Sequence, residues 1–341
     1  MSKTRAGYFF EDYRLGQVFE HATPRTISGG ERALYTALYP SRFALYSSDE
    51  FARNCGLKES PIEDLAAFHI VFGKTVPDIS LNAVANLGYA ECRFLKPVYA
   101  GDTLTTGSEV IGLKQNSSGK SGVVWLRSTG MNQHGEAVLD YVRWVMVKKR
   151  NEGAAAPETQ VPMLKPALKP AELPIPEGLD FSRYDFVQAG EKHRLGDYEV
   201  DEVIDHVDGV TIEEAEHMLA TRLWQNTAKV HFDTSQRPDG KRLIYGGHVI
   251  SLARALSFNG LANAQMIVAI NAGSHTNPCF AGDTLRARSI VLDKAEINGI
   301  GAIRLRLLAY KGKGGQSLEK VEGKYPSHLL LDLDYWALMP V

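Results

Sequence analysis

The sequence has very little cysteine, only Cys55, Cys92 and Cys279 among 341 residues. They lie far apart, fit no metal-ligand spacing and cannot all pair, which excludes a disulfide framework and a cysteine-rich metal site and fits a reducing, cytoplasmic setting. An excess of one charge is also missing, since 38 Lys+Arg face 40 Asp+Glu for a net charge of −2. No basic field exists to gather nucleic acid or anionic lipid, so any anionic ligand must be held by local groups. No run approaches the ~18 apolar residues that a spanning helix needs. The opening MSKTRAGYFFEDYR has no apolar core followed by a cleavage site, so neither membrane insertion nor targeting is expected. No metal and no cofactor is expected.

What is present is a packed globular composition, 44% hydrophobic and 23% charged. The length exceeds the size at which a single core stops growing, which favours two domains. A search for self-similarity explains why. Ala-Gly-Asp-Thr-Leu occurs at Ala100 to Leu104 and again at Ala281 to Leu285, each time after a proline, Pro97 and Pro278. A constant shift of 185 places Asp12-Tyr13 on Asp197-Tyr198, His21 on His206, Thr26-Ile27 on Thr211-Ile212 and Glu31 on Glu216. The shift becomes 181 at the pentapeptide and 192 if Trp144 matches Trp336, so insertions and deletions fall between elements, where loops tolerate them. The chain holds two diverged copies of one unit. Between them, residues 151–178 carry Pro157, Pro162, Pro166, Pro170, Pro174 and Pro176, a density that excludes helix and sheet interior and predicts an extended connector. The expected units are 1–150, a linker at 151–178, and 179–341.

Each copy reads as one apolar helix followed by strands. Ser60-Pro61-Ile62-Glu63 has capping-box spacing with proline at the first helical position, ahead of Leu65, Phe68, Ile70, Val71 and Phe72. In the second copy Gly246-Gly247-His248 opens a helix that the turn pair Asn259-Gly260 closes. β-Branched and aromatic runs then predict strands near 89–95, 103–112, 123–131 and 141–147, and near 267–274, 284–292, 303–310 and 329–336. Short connections make these antiparallel. The predicted fold class is α+β, with each half a curved antiparallel sheet wrapped around a long apolar helix. Pairing two such units covers a sheet edge and thickens the core.

The tandem pattern, the Ala-Gly-Asp-Thr-Leu strand starts and the segment Asn226-Thr-Ala-Lys-Val-His231-Phe-Asp233 resemble the MaoC-like, double hot-dog acyl-CoA hydratases. The likeness covers essentially the whole chain. The stretches Phe68 to Asn82, Asp205 to His217 and Tyr245 to Ala253 are similar to the members that hydrate mesaconyl-CoA. The resemblance implies reversible addition of water to an enoyl-CoA, mesaconyl-CoA giving β-methylmalyl-CoA in the ethylmalonyl-CoA pathway, with an acyl-CoA thioester as partner and a homo-oligomeric assembly.

Such hydration needs a base for water at the β carbon, a proton for the α carbon and donors for the enolate oxygen. The family places an Asp and a His five residues apart. His231 stands at the His position, but Asn226 replaces the Asp, and an amide can orient water without taking its proton. Either His231 acts alone as base with Asn226 holding water, or a carboxylate such as Asp233 substitutes. The shift of 185 puts Ser41 opposite Asn226 and Tyr46 opposite His231, so only the second copy keeps the dyad. A lone histidine in an alternating, strand-like run would otherwise read as a core or solvated residue. Gly246, Gly247 and His248 offer helix N-terminal amides for a thioester oxyanion, or simply a tight turn.

With no Walker or Rossmann loop present, basic side chains must meet the coenzyme A phosphates, and Lys229, Arg237, Lys241 and Arg242 are the candidates. Arg222 and Arg42, which flank the dyad positions, are candidates for the substrate carboxylate. His69 matches His248 and reads as a buried structural histidine, while Asp102 and Asp283 read as turn formers. A thioesterase, an acyl-carrier-protein dehydratase and a non-catalytic acyl-CoA-binding protein remain open alternatives.

Overall fold

The computed structural model describes residues 3–341. The first half runs β1 (Val18–Thr26), α1 (Gly29–Leu38), α2 (Ala44–Ser47), α3 (Asp49–Asn54), α4 (Asp64–Ile79), β2 (Ala83–Phe94), β3 (Thr103–Gln115), β4 (Ser121–Met131) and β5 (Ala137–Lys148). A short α5 (Phe186–Ala189) precedes the second half: β6 (Val203–Thr211), α6 (Glu214–Leu223), α7 (Lys229–Phe232), α8 (Gly246–Leu256), β7 (Met266–His275), β8 (Thr284–Ile297), β9 (Ile300–Lys311) and β10 (Leu329–Met339).

All ten strands form one antiparallel sheet in the order β1-β3-β4-β5-β2-β7-β10-β9-β8-β6. The order is the same read from either edge toward the centre, as two copies of one unit require. The halves join where β2 meets β7, with Tyr89 opposite Gly273 and Cys92 opposite Ile270. The repeated pentapeptides make matching turns. Gly101 and Gly282 sit at φ of 98° and 91°, and Asp102 and Asp283 accept from the amides of Tyr99 and Phe280. Glycine is needed because a side chain at that φ is strained.

The eight predicted strands are all present and mostly longer. The sequence reading missed β1, β6, α1 and α6. Both strands are sheet edges whose residues are largely exposed, and β1 contains Pro24, so they carry little apolar alternation. A helix opening at Ser60 is also corrected, because α4 starts at Asp64. The Ile62 amide is held by the Val98 carbonyl at the sheet end, and Glu63 accepts from Ser41 instead of folding back as a cap. Next to it, the Tyr46 hydroxyl donates to the buried Asp64, which also accepts from the Ile267 amide at 2.7 Å. Burial pushes both carboxyls well above their usual range.

Helix α4 packs on β1, β3, β5 and β7, and α8 on β6, β8, β9 and β10, with each fully buried Leu, Ile or Val contributing roughly 1.5–3 kcal/mol. The central strands β7 and β10 are covered on both faces. Along β10, Tyr335 and Ala337 join the helix-side core, while Trp336 and Leu338 join a second core with Phe43, Phe51, Leu168, Leu173, Phe181 and Tyr184. The proline-rich segment is therefore extended yet anchored. Leu168 donates its amide to Asn271, and its carbonyl accepts from the Trp336 indole at 3.2 Å. No helix among the described residues is long and apolar enough to cross a membrane.

Candidate active site

A cavity of about 260 Å³ opens between the halves beneath the N-terminus of α8. Its wall takes Asn226, Val230, His231, Tyr245, Gly246 and His275 from the second half, and Phe72, Val76, Ser80, Asn86, Tyr89 and Arg143 from the first. Asn226 and His231 are thus brought together at one surface.

The local chain explains how. Helix α6 is capped by Trp224, and Gln225 turns the chain in the left-handed region at φ 56°. Asn226 follows, buried, with its Oδ1 accepting from the Ala228 amide at 3.3 Å and its Nδ2 without a partner among the described residues. His231 lies on the one-turn helix α7, not on a strand, and Nδ1–H donates to the Leu243 carbonyl at 2.7 Å. That bond fixes the tautomer and leaves the Nε2 lone pair free. Burial lowers the His231 pKa below the ordinary histidine value, partly offset by the same carbonyl, so the ring stays neutral.

The Gly246 and Gly247 amides begin α8 with no acceptor among the described residues, and Gly246 faces the cavity. His248 does not share that role: its amide donates to Tyr245 and its ring is buried against the Tyr39 hydroxyl at 3.2 Å. A methyl at Gly246 would lie 2.3 Å from the His275 imidazole, and one at Gly247 2.4 Å from the Tyr245 ring. Both glycines are therefore needed for packing, whatever their amides do. The Tyr245 amide donates to His217 Nε2 at 2.9 Å, which pins the approach to α8. His69 is buried, bonded to Ser251 at 2.7 Å and to the Tyr245 hydroxyl at 3.2 Å.

Three of the candidates lie outside the cavity wall. Asp233 sits in a turn where it accepts from Ser235 and Gln236, and it does not line the cavity. Arg42 stacks on Phe258 at 4.5 Å and Arg222 is exposed on α6, and neither lines the cavity. Among the phosphate candidates, Arg237 and Lys241 gather over the Phe280 ring, whose neighbours Asn277 to Cys279 form cavity wall. Lys229 is exposed nearby, and Arg242 pairs with Glu214.

The sequence reading did not find His275 or Arg143. His275 contacts the Tyr89 hydroxyl at 3.2 Å, and burial, with the nearby His231, lowers its pKa to about 4. Arg143 is fully buried on β5, donating to Ser80 at 3.1 Å and Thr75 at 2.8 Å.

The sequence model of the family described as mesaconyl-CoA hydratase matches residues 2–314. The chain belongs to the mesaconyl-CoA hydratase family. It is 70% identical to the mesaconyl-CoA hydratase of Cereibacter sphaeroides and 57% identical to the β-methylmalyl-CoA dehydratase of Chloroflexus aurantiacus, each alignment covering 99% of both chains. A solved MaoC domain protein dehydratase from Chloroflexus aurantiacus superimposes with a TM-score of 0.97 at 57% identity, covering 100% of this chain and 99% of that one. A Mycobacterium tuberculosis protein with a double hot-dog fold gives 0.78 at 26% identity over 98% of each chain. The ten-stranded sheet of this mesaconyl-CoA hydratase family member is thus a double hot-dog.

Proposed function

We propose that this chain is a hydro-lyase that reversibly adds water to mesaconyl-CoA, giving β-methylmalyl-CoA. The observation that carries the reading is His231, held by Leu243 so that a bare Nε2 faces a cavity shared with the Asn226 amide. Asn226 orients the water, and His231 takes its proton as oxygen bonds to the β carbon. The developing enolate oxygen is met by the amide of Gly246, with Gly247 behind it, at a helix N-terminus that favours negative charge. His231 then returns the proton to the α carbon, so water is added whole and one face of the double bond receives both parts. A neutral imidazole suits both steps near pH 7.

In this reading Arg237 and Lys241, which gather over Phe280 beside the cavity wall, meet the coenzyme A phosphates together with Lys229. We take each half-sheet to curve around its helix, which puts the two helix N-termini at the junction. A cytoplasmic setting, where buried thiols stay reduced, suits a coenzyme A thioester substrate; a homo-oligomer remains our expectation for the assembly.

Incubation with mesaconyl-CoA, followed by loss of enoyl-thioester absorbance and mass analysis, tests the assignment. A gain of one water is expected, and release of free coenzyme A would identify a thioesterase instead. His231→Ala should lower kcat by roughly 10² to 10⁴-fold with an unchanged melting curve, and wild-type turnover in that variant would remove His231 from the chemistry.

A further inference from the structure

The cavity wall contains a buried positive charge that the protein does not neutralise. Arg143 is fully buried, and among the described residues its only hydrogen-bond partners are the neutral hydroxyls of Ser80 and Thr75. Its Nε is buried without a partner, and the guanidinium lies 4.4 Å from the centre of the Phe72 ring. An isolated buried cation costs several kcal/mol unless a counter-ion compensates it. One strand away, Asn86 lines the same cavity, and both polar atoms of its side chain are buried without partners. Native proteins rarely leave such groups unsatisfied unless a ligand or water meets them. The rest of this region is apolar: Phe72, Val76, Ala83, Val145 and Val249. In the other copy the position of Arg143 is held by Tyr335 under the same shift of 192 that matches the tryptophans, so the cation is not demanded by the fold.

We infer that Arg143, assisted by Asn86, receives the free carboxylate of the substrate and makes the site select enoyl thioesters that carry one. The inference rests on the hydratase reading and names its specificity. In mesaconyl-CoA the carboxylate is attached to the carbon that receives the hydroxyl group. A guanidinium held by Ser80 and Thr75 fixes that carbon relative to His231 and cancels a negative charge that would repel the incoming oxygen. Arg143 is a specificity and positioning residue and moves no proton.

The test compares kcat/KM for mesaconyl-CoA and for crotonyl-CoA, which lacks the carboxylate, in the wild type, Arg143→Gln and Arg143→Lys. Truncating one partner of a buried charge pair typically costs enough that the mesaconyl-to-crotonyl ratio should fall on the order of 100-fold in Arg143→Gln. A smaller fall is expected in Arg143→Lys, which keeps charge but not the planar fork. An equal loss on both substrates would show that Arg143 is merely structural and overturn the inference. Should Arg143→Gln fail to fold, binding to the wild type decides: succinyl-CoA should bind at least about tenfold more tightly than butyryl-CoA, and equal affinities would overturn the proposal. If instead the wild type hydrates neither enoyl thioester, the hydratase reading fails, while binding of succinyl-CoA and butyryl-CoA to the wild type and to Arg143→Lys still reports whether Arg143 receives a carboxylate.

Discussion

His231 offers one free nitrogen to the cavity, and its neighbour Asn226 can carry no proton, so the pH dependence should report a single group. In the proposed mechanism the working form is the neutral base. Burial lowers its pKa, so the neutral form persists below the ordinary histidine value of 6.5. The acid limb of kcat/KM should therefore fall below pH 6.5, and a limb centred at or above that value would contradict the assignment. That Asn226 and His231 share a cavity wall could be anticipated because the second copy could be set against the first, where Ser41 and Tyr46 stand. Asp233 stands outside the cavity wall although it is close in sequence, because its carboxylate is turned to Ser235 and Gln236. His275 and Arg143 are single residues on strands remote from the motif, and no spacing announces them. The copies also settle a decoy. Asp78, His21 and Ser108 form a triad-like chain with bonds of 2.7 and 2.8 Å, but Ser108 is buried. His206 makes the same bond to Ser289 with the Asn259 carbonyl in place of the carboxylate. A histidine tying the first strand to the next is a structural feature of both halves.

At the scale of elements, the site depends on how closely α4 approaches the end of α6. A methyl on Gly73 would lie 1.7 Å from the Trp224 carbonyl oxygen, a backbone atom that cannot swing aside. Gly73→Ala should therefore cost about 1–3 kcal/mol of stability and also reduce turnover, because Trp224 leads directly into Asn226. Thermal melting and kinetics at a permissive temperature check both effects; an unshifted Tm would mean that the helices can separate freely. The central helices and strands were readable from periodicity because they are apolar on at least one face. Edge strands β1 and β6 were not, since water satisfies their outer residues and the alternation fades. The start of α4 was misread because tertiary partners, the Val98 carbonyl and Ser41, outcompete the local capping pattern.

At the scale of the whole molecule, the cavity is built by both halves. The dyad and the α8 amides come from residues 179–341, whereas Phe72, Ser80, Asn86, Tyr89 and Arg143 come from the first half. Residues 179–341 produced alone should show no hydration activity, and coexpression with residues 1–178 should restore it in a copurifying pair. Activity in the isolated second half would refute the shared cavity. Duplication was plain in the sequence because turn geometry preserved the pentapeptides, but the continuity of the sheet across β2 and β7 lies in strand pairing that no local pattern encodes. The first half has meanwhile filled the place of its lost dyad: Ser41 is committed to Glu63 and Tyr46 to Asp64, within the core. Placing Asn and His there would replace hydroxyl donors that fit two buried carboxyls with groups of another shape inside a filled core, so a variant changed at both positions should melt below the wild type. The asymmetry between the halves is thus held by packing: the place that a second Asn–His pair would take is occupied by a hydrogen-bonded core.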